Sequence, residues 1–82
     1  MKIIDSAKVH KVGDKYYLVT KDKKMCVMNE TSHCIFSQIR NGLTTEEIID
    51  SMIIEYSEDP IKIRLDVEAV IAQMRTAGII LD

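Results

Sequence analysis

The stretch Lys24–Phe36 constrains the fold of this chain most, because it passes from a strand pattern to a helix pattern with hardly any loop between. Met25–Met28 is a run of apolar residues, and its length suits a strand but is too short for a buried helix. Asn29, Thr31 and Ser32 follow at once. Their side chains accept hydrogen bonds from the first free N–H groups of a helix. We therefore predict that this segment forms a strand at the edge of a sheet. Its unpaired backbone groups would then be the functional surface of the protein.

The residues before this stretch predict further β structure. Ala7–Lys11 alternates weakly between apolar and polar residues, and Tyr16–Thr20 is rich in strand-forming residues. Val12–Lys15 has the composition of a turn, and Lys21–Lys23 has the length of a hairpin connection to Lys24–Met28. Together these segments predict a three-stranded antiparallel meander.

After Asn29 the pattern changes to helical spacing. The residues at this spacing are Ser32 and the apolar residues Ile35, Phe36, Ile39 and Leu43. Asn41–Gly42 is a helix stop, and Thr44 stands three residues before Glu47, which is the capping-box pattern at the start of a second helix. The apolar face of that second helix is Ile48, Ile49, Met52, Ile53 and Tyr56.

A third helix is predicted over Pro60–Ala77, with Asp59 as its N-cap. Its first part is ambiguous because apolar and polar residues alternate there, as in a strand: Ile61, Ile63, Leu65 and Val67. The residues that then follow at clear helical spacing are Val67, Val70, Ile71 and Met74. Ile79–Leu81 is expected to fold back against the core. The order of elements predicts an α+β fold, with a three-stranded antiparallel sheet followed by three helices in a single domain over residues 1–82.

Length and composition favour a binding module over an enzyme. A chain of 82 residues has room for one modest core and no deep cavity. It lacks a glycine-rich phosphate loop, a nucleophile motif and metal-binding spacing, so we expect no catalytic residue, no metal and no cofactor. Cys26 and Cys34 indicate reduced thiols in a cytoplasmic protein. Neither a signal peptide nor an apolar run of membrane-spanning length is present, so no membrane partner is expected.

Three classes of binding partner fit three helices and a small sheet: DNA, a peptide and a second copy of the chain. A DNA-binding winged helix is the alternative hypothesis, but the helices lack a basic face for phosphate contacts. The bases Lys62, Arg64 and Arg75 are offset by the acids Asp59, Asp66 and Glu68. Peptide binding fits better, because an open strand edge pairs with an extended segment through main-chain hydrogen bonds. The same edge also suits an obligate subunit that forms a homodimer.

The ordered set of these features resembles the PqqD-like proteins, which are recognition elements for ribosomally synthesised and post-translationally modified peptides (RiPPs). The residues that carry the resemblance are Val27-Met28-Asn29, Ser32–Phe36, Arg40-Asn41-Gly42, Thr45–Ile49, Tyr56, Asp66-Val67, Ile71, Met74 and Ala77–Ile80. The resemblance implies a winged-helix-like fold without catalytic activity. It also implies that the leader segment of a precursor peptide adds as a strand and is presented to a separate enzyme, such as a radical-SAM protein, a leader peptidase or a cyclase.

On this resemblance, the leader lies in a groove between the strand and the last helix. The predicted contacts on the strand are Lys24, Met25, Cys26, Val27 and Met28. Those on the helix follow one flank of its core-facing stripe: Arg64, Leu65, Glu68, Ala72 and Arg75. Arg64 and Arg75 would pair with acids of the leader, and Ala72 leaves room for a bulky side chain. The opposite flank, with Asp66, Ala69 and Gln73, stays open as the alternative.

Overall fold

A computed structural model describes residues 1–81 of the chain. Its elements in chain order are β1 (Lys2–Ile3), β2 (Lys8–Val12), β3 (Lys15–Val19), β4 (Met25–Met28), α1 (Glu30–Arg40), α2 (Thr45–Tyr56), α3 (Pro60–Thr76) and β5 (Ile80–Leu81). One antiparallel sheet has the order β2-β3-β4, and β1 pairs with β5 in a second, two-stranded sheet. The predicted α+β class, the meander and the three helices that follow it are confirmed.

Tight turns set the register of the meander. Val12 pairs with Lys15 across a two-residue turn, where Gly13 has a φ of 63°, a conformation that glycine adopts without steric cost. The connection to β4 is held by the N–H of Thr20, which donates to the carbonyl of Lys24 at 3.0 Å. With the turns fixed in this way, Tyr16 lies opposite Met28.

Each helix begins at a side-chain cap that the sequence predicted. Asn29 accepts a hydrogen bond from the N–H of Ser32 at 2.8 Å, so α1 starts directly after β4. At α2, Thr44 accepts from the N–H of Glu47 at 3.2 Å, and the Glu47 carboxylate accepts from the N–H of Thr44 at 2.9 Å. The caps satisfy N–H groups that have no partner inside the helix.

The core is built by α1 packing against the sheet on one side and against α2 and α3 on the other. Its largest fully buried side chains come from all of these elements: Leu18, Met28, Ile35, Phe36, Ile39, Ile48, Ile49, Val67, Met74 and Ile79. Of the apolar residues predicted for the helix faces, Leu43, Ile53 and Val70 are half-buried and Tyr56 is 37% exposed. Burial of this apolar surface is the main stabilising contribution to the fold.

The structure explains why apolar and polar residues alternate in the sequence at the start of α3. Ile63 and Val67 are buried, whereas Ile61 and Leu65 are 72% and 62% exposed. Residues four apart share one face of a helix, so two apolar pairs that interleave in the sequence lie on two different faces. The helix assignment from Pro60 onward is confirmed.

The pairing of β1 with β5 was not predicted. Ile3 lies opposite Ile80, both are buried, and the N–H of Ile4 donates to the carbonyl of Ile79 at 3.0 Å. Each of these strands has two residues, which is too short for a periodic pattern to appear in the sequence. The predicted return of Ile79–Leu81 to the core is confirmed.

We expect Thr44→Ala to lower the free energy of unfolding by about 1 kcal/mol, because the N–H of Glu47 loses its acceptor at the start of α2. For a domain of this size the melting temperature falls by about 4–8 °C. Thermal unfolding followed by circular dichroism measures the change. Thr45→Ala is the matched control, since Thr45 makes no capping bond, and equal losses in both variants would contradict the role given to the cap.

Candidate functional site

Within residues 1–81, β4 is paired on one side only. Its partner is β3, and the sheet order β2-β3-β4 leaves the other side of β4 without a neighbouring strand. We call this side the open edge. Of the elements that follow, α1 packs against β4, whereas α3 packs against α1, α2 and β5. The open edge is therefore not covered by another strand of the described chain.

The register of the β3–β4 ladder fixes which backbone groups the open edge carries. Thr20 and Lys24 form a hydrogen-bonded pair at the turn, and such pairs alternate with non-hydrogen-bonded pairs along an antiparallel ladder. Cys26 and Met28 accordingly direct their backbone groups to β3. The N–H and C=O groups of Met25 and Val27 point away from β3, to the open edge.

Side chains of β4 alternate between the core and the outer face of the sheet. Met28 is buried and Cys26 half-buried, whereas Met25 and Val27 are 66% and 52% exposed. Val27 lies opposite Tyr17 and Met25 opposite Val19, so these four residues share the outer face, where Val19 is also exposed. We call this set the outer apolar face. It adjoins the open edge.

Neighbouring residues at the two ends of β4 lie against α3 or the residue just past its end, and we call the space between strand and helix the groove. At the start of β4, the Lys24 ammonium lies against Gly78, just past the end of α3. Beyond the end of β4, Thr31 lines a cavity of about 150 Å³ together with Lys62 and Asp66 of α3. The strand and the helix therefore run past one another in opposite directions. Helical spacing extends this side of α3 from Lys62 and Asp66 through Val70 and Gln73, and we call it the groove flank.

The predicted flank of α3 lies on the other side of the helix. The Arg64 guanidinium makes two hydrogen bonds to the Glu46 carboxylate of α2, at 2.8 and 3.0 Å. Leu65 lines a separate cavity of about 200 Å³ with Ile53 of α2. The other members of the predicted flank, at positions 68, 72 and 75, follow the same stripe and are exposed. The flank that the sequence left as the alternative includes Asp66, which lines the cavity beyond the end of β4.

Helical periodicity identifies the buried stripe of α3 but not the neighbours on its two flanks. Lys62 and Val70 were not among the predicted site residues, and no signal in the sequence distinguishes their flank from that of Arg64. The contact between Arg64 and Glu46 is separated by 18 positions in the chain, so it depends on how α2 and α3 pack. The surroundings of each flank therefore depend on a tertiary contact.

Burial and neighbouring charge shift the pKa values of several groups. Partial burial raises the pKa of the Cys26 thiol, which keeps this groove residue in its unreactive, protonated form. His33 stacks on Tyr16 with ring centroids 3.8 Å apart, and desolvation together with the charge of Lys11 lowers its pKa. The bond from Arg64 lowers the pKa of Glu46. Each shift has a structural cause, and none activates a nucleophile.

Over residues 1–81, no three or more His, Cys, Asp or Glu side chains are grouped so as to hold a metal ion. In the same range, none of the helices combines the length and apolar character needed to cross a membrane.

The fold and the open edge define a small α+β domain with one unpaired strand edge, and comparison with known proteins gives the family. The sequence profile of coenzyme PQQ synthesis protein D (PqqD) matches residues 15–80. That range covers most of the chain, including β3, β4 and all three helices. The chain belongs to the PqqD family.

Solved structures confirm the fold. TbiB1 in complex with the TbiA(beta) leader peptide aligns over 100% of both chains, with a TM-score of 0.84 and 22% sequence identity. A lasso peptide synthetase B1 complexed with the leader peptide aligns over 98% of this chain and 95% of its own, with a TM-score of 0.84 and 15% identity. No curated protein matches this chain. Similarity at this level of identity shows a shared fold.

We expect amide hydrogen exchange to reveal the open edge in the free protein. The amides of Met25 and Val27 should exchange rapidly, and those of Cys26 and Met28 at least about 100-fold more slowly, because only the latter donate to β3. Residue-resolved exchange followed by NMR measures these rates. Fast exchange at Lys11 beside slow exchange at His10 is the internal control on β2, and equal protection at all four β4 amides would contradict the assigned register.

Proposed function

We propose that this protein binds the leader segment of a ribosomally synthesised precursor peptide by strand addition at β4 and presents it to a separate modifying enzyme. It takes no catalytic part itself. The observation that carries the proposal is the open edge of β4 beside the groove flank of α3. An incoming strand completes the hydrogen bonds of Met25 and Val27, and its alternate side chains enter the groove.

Membership of the PqqD family and the shared fold support this proposal. The similar proteins TbiB1 and lasso peptide synthetase B1 were both solved with leader peptides. In this chain, the residues proposed to contact the leader are Lys24, Met25, Cys26, Val27 and Met28 of the strand side and Lys62, Asp66, Val70 and Gln73 of the groove flank. The position of Arg64 and Leu65 beside α2 favours this flank over the one first predicted.

The outer apolar face supports the second part of the proposal, presentation to an enzyme. Met25 and Val27 expose apolar side chains on the side of the sheet that faces away from the core. A strand added beside β4 would place its own outward side chains next to them. Such an extended apolar surface is typical of a protein–protein contact. The enzyme class, whether a radical-SAM protein, a peptidase or a cyclase, follows from the pathway that supplies the precursor.

The charge of α2 weakens the alternative of a DNA-binding winged helix. Over Thr45–Tyr56 the helix carries four acids and no Lys or Arg: Glu46, Glu47, Asp50 and Glu55. DNA phosphates attract basic surfaces and are repelled by such a helix. The proposal therefore names a peptide as the partner.

We expect Val27→Pro to weaken peptide binding at least about tenfold, because proline removes the N–H that the open edge offers. A suitable probe is a peptide selected on the wild-type protein from a displayed random library, with affinity measured by fluorescence anisotropy. The variant should keep its circular dichroism spectrum, since Val27 donates no bond to β3.

Lys11→Pro is the matched control. Lys11 lies opposite Tyr16 in a non-hydrogen-bonded pair of β2 and β3, so its N–H points to the outer edge of β2. This variant should bind the selected peptide as the wild type does. Unchanged affinity of Val27→Pro, or equal losses in both variants, would place the peptide elsewhere. Failure to select any peptide would argue against peptide binding altogether.

A further inference from the structure

The two ends of the groove carry opposite charge. At the start of β4, the turn from β3 supplies Lys21, Lys23 and Lys24 against the single acid Asp22. Asp22 lies 3.6 Å from the Lys24 ammonium. Lys21 and Asp22 also line a shallow depression that includes Gly78, at the end of α3. This end of the groove, which we call the basic end, has an excess of positive charge.

The other end has an excess of negative charge. Its cavity is lined by Glu58 and Asp66, together with one base, Lys62. Lys62 is already bonded to Glu58 at 3.2 Å. Glu30, the first residue of α1, immediately precedes Thr31, which lines the same cavity. We call this end the acidic end.

The two ends are far enough apart to act separately on a bound chain. Four residues of β4 span about 13 Å, which exceeds the screening length of about 10 Å at 0.1 M salt. A charge on a bound strand therefore interacts mainly with the end that it lies beside. Apolar surface lies between the ends, where Cys26 and Val70 are half-buried at the margin of the core.

We infer that this groove selects peptides by the order of their charges, an inference that rests on the proposed function. Antiparallel pairing is slightly more stable than parallel pairing, so a bound strand begins beside Met28 and ends beside Lys24. The preferred peptide then has basic residues before its strand-forming segment and acidic residues after it, with apolar residues between. Lys24 and Asp66 are the residues that determine this specificity.

A second copy of the chain is the rival occupant. Antiparallel pairing of two β4 strands would also bring a basic end beside an acidic end. β4 offers only four residues for pairing, and a flexible peptide reaches the groove between β4 and α3 without bringing a second α3 into it. Analytical ultracentrifugation of the protein without peptide distinguishes the two occupants, because pairing of two β4 strands would give a dimer. The inference requires that the protein sediment as a monomer.

The test uses peptides of about 12 residues, long enough to cover β4 and both ends of the groove. A binder selected from a displayed random library is compared with a second peptide of the same composition, in which the basic and acidic residues are exchanged. At about 0.1 M salt we expect the exchanged peptide to bind about tenfold more weakly. At 1 M salt, where the screening length is about 3 Å, the difference should fall below about twofold.

Charge reversal in the protein completes the test. The double variant Lys24→Glu/Asp66→Lys should invert the preference between the two peptides. The control Lys8→Glu/Asp50→Lys has the same net charge, and both of its positions are exposed and lie outside the groove, so it should keep the preference. Selected peptides that bind with no preferred charge order would overturn the inference and leave peptide binding intact. A dimer that yields no peptide binder would overturn both proposals.

Discussion

The hydrogen-bonded pairing of Thr20 with Lys24 controls the rest of the structure, because it sets the register of β4 against β3. In that register, Cys26 and Met28 bond inward to the sheet, and Met25 and Val27 direct their backbone groups to the open edge. A shift by one residue would exchange these roles and would also move Met28 out of the core. Burial of Met28 and the availability of Val27 for pairing are therefore two consequences of one constraint.

Local patterns in the sequence predict most of the fold. The caps at Asn29, Thr44 and Asp59 define where helices begin, because each involves residues no more than three positions apart. The pairing of β1 with β5 could not be predicted, since it joins residues from the two ends of the chain in strands of two residues. The same limit applies to α3. Its buried stripe follows from spacing, but the neighbours of its flanks depend on the packing of α2.

The same distinction between local patterns and tertiary packing applies to the residues of the candidate site. Lys24–Met28 was identified from its composition and its place before a helix cap, and the structure leaves its outer side open. The flank of Arg64 was chosen from charge and size, properties that an ion pair with Glu46 satisfies equally well. The charges at the ends of the groove come from four separate segments, the β3–β4 turn, the start of α1, the α2–α3 connection and α3 itself. Only the folded chain brings them beside one strand.

The most direct test of strand addition is a measurement of hydrogen-bond scalar couplings by NMR, on the labelled protein bound to a labelled peptide selected for affinity. The account predicts couplings from the amides of Met25 and Val27 to peptide carbonyls, together with unchanged couplings from Cys26 and Met28 to β3. Couplings from the peptide to Val9 or Lys11 of β2, or the absence of any coupling between the peptide and β4, would contradict it.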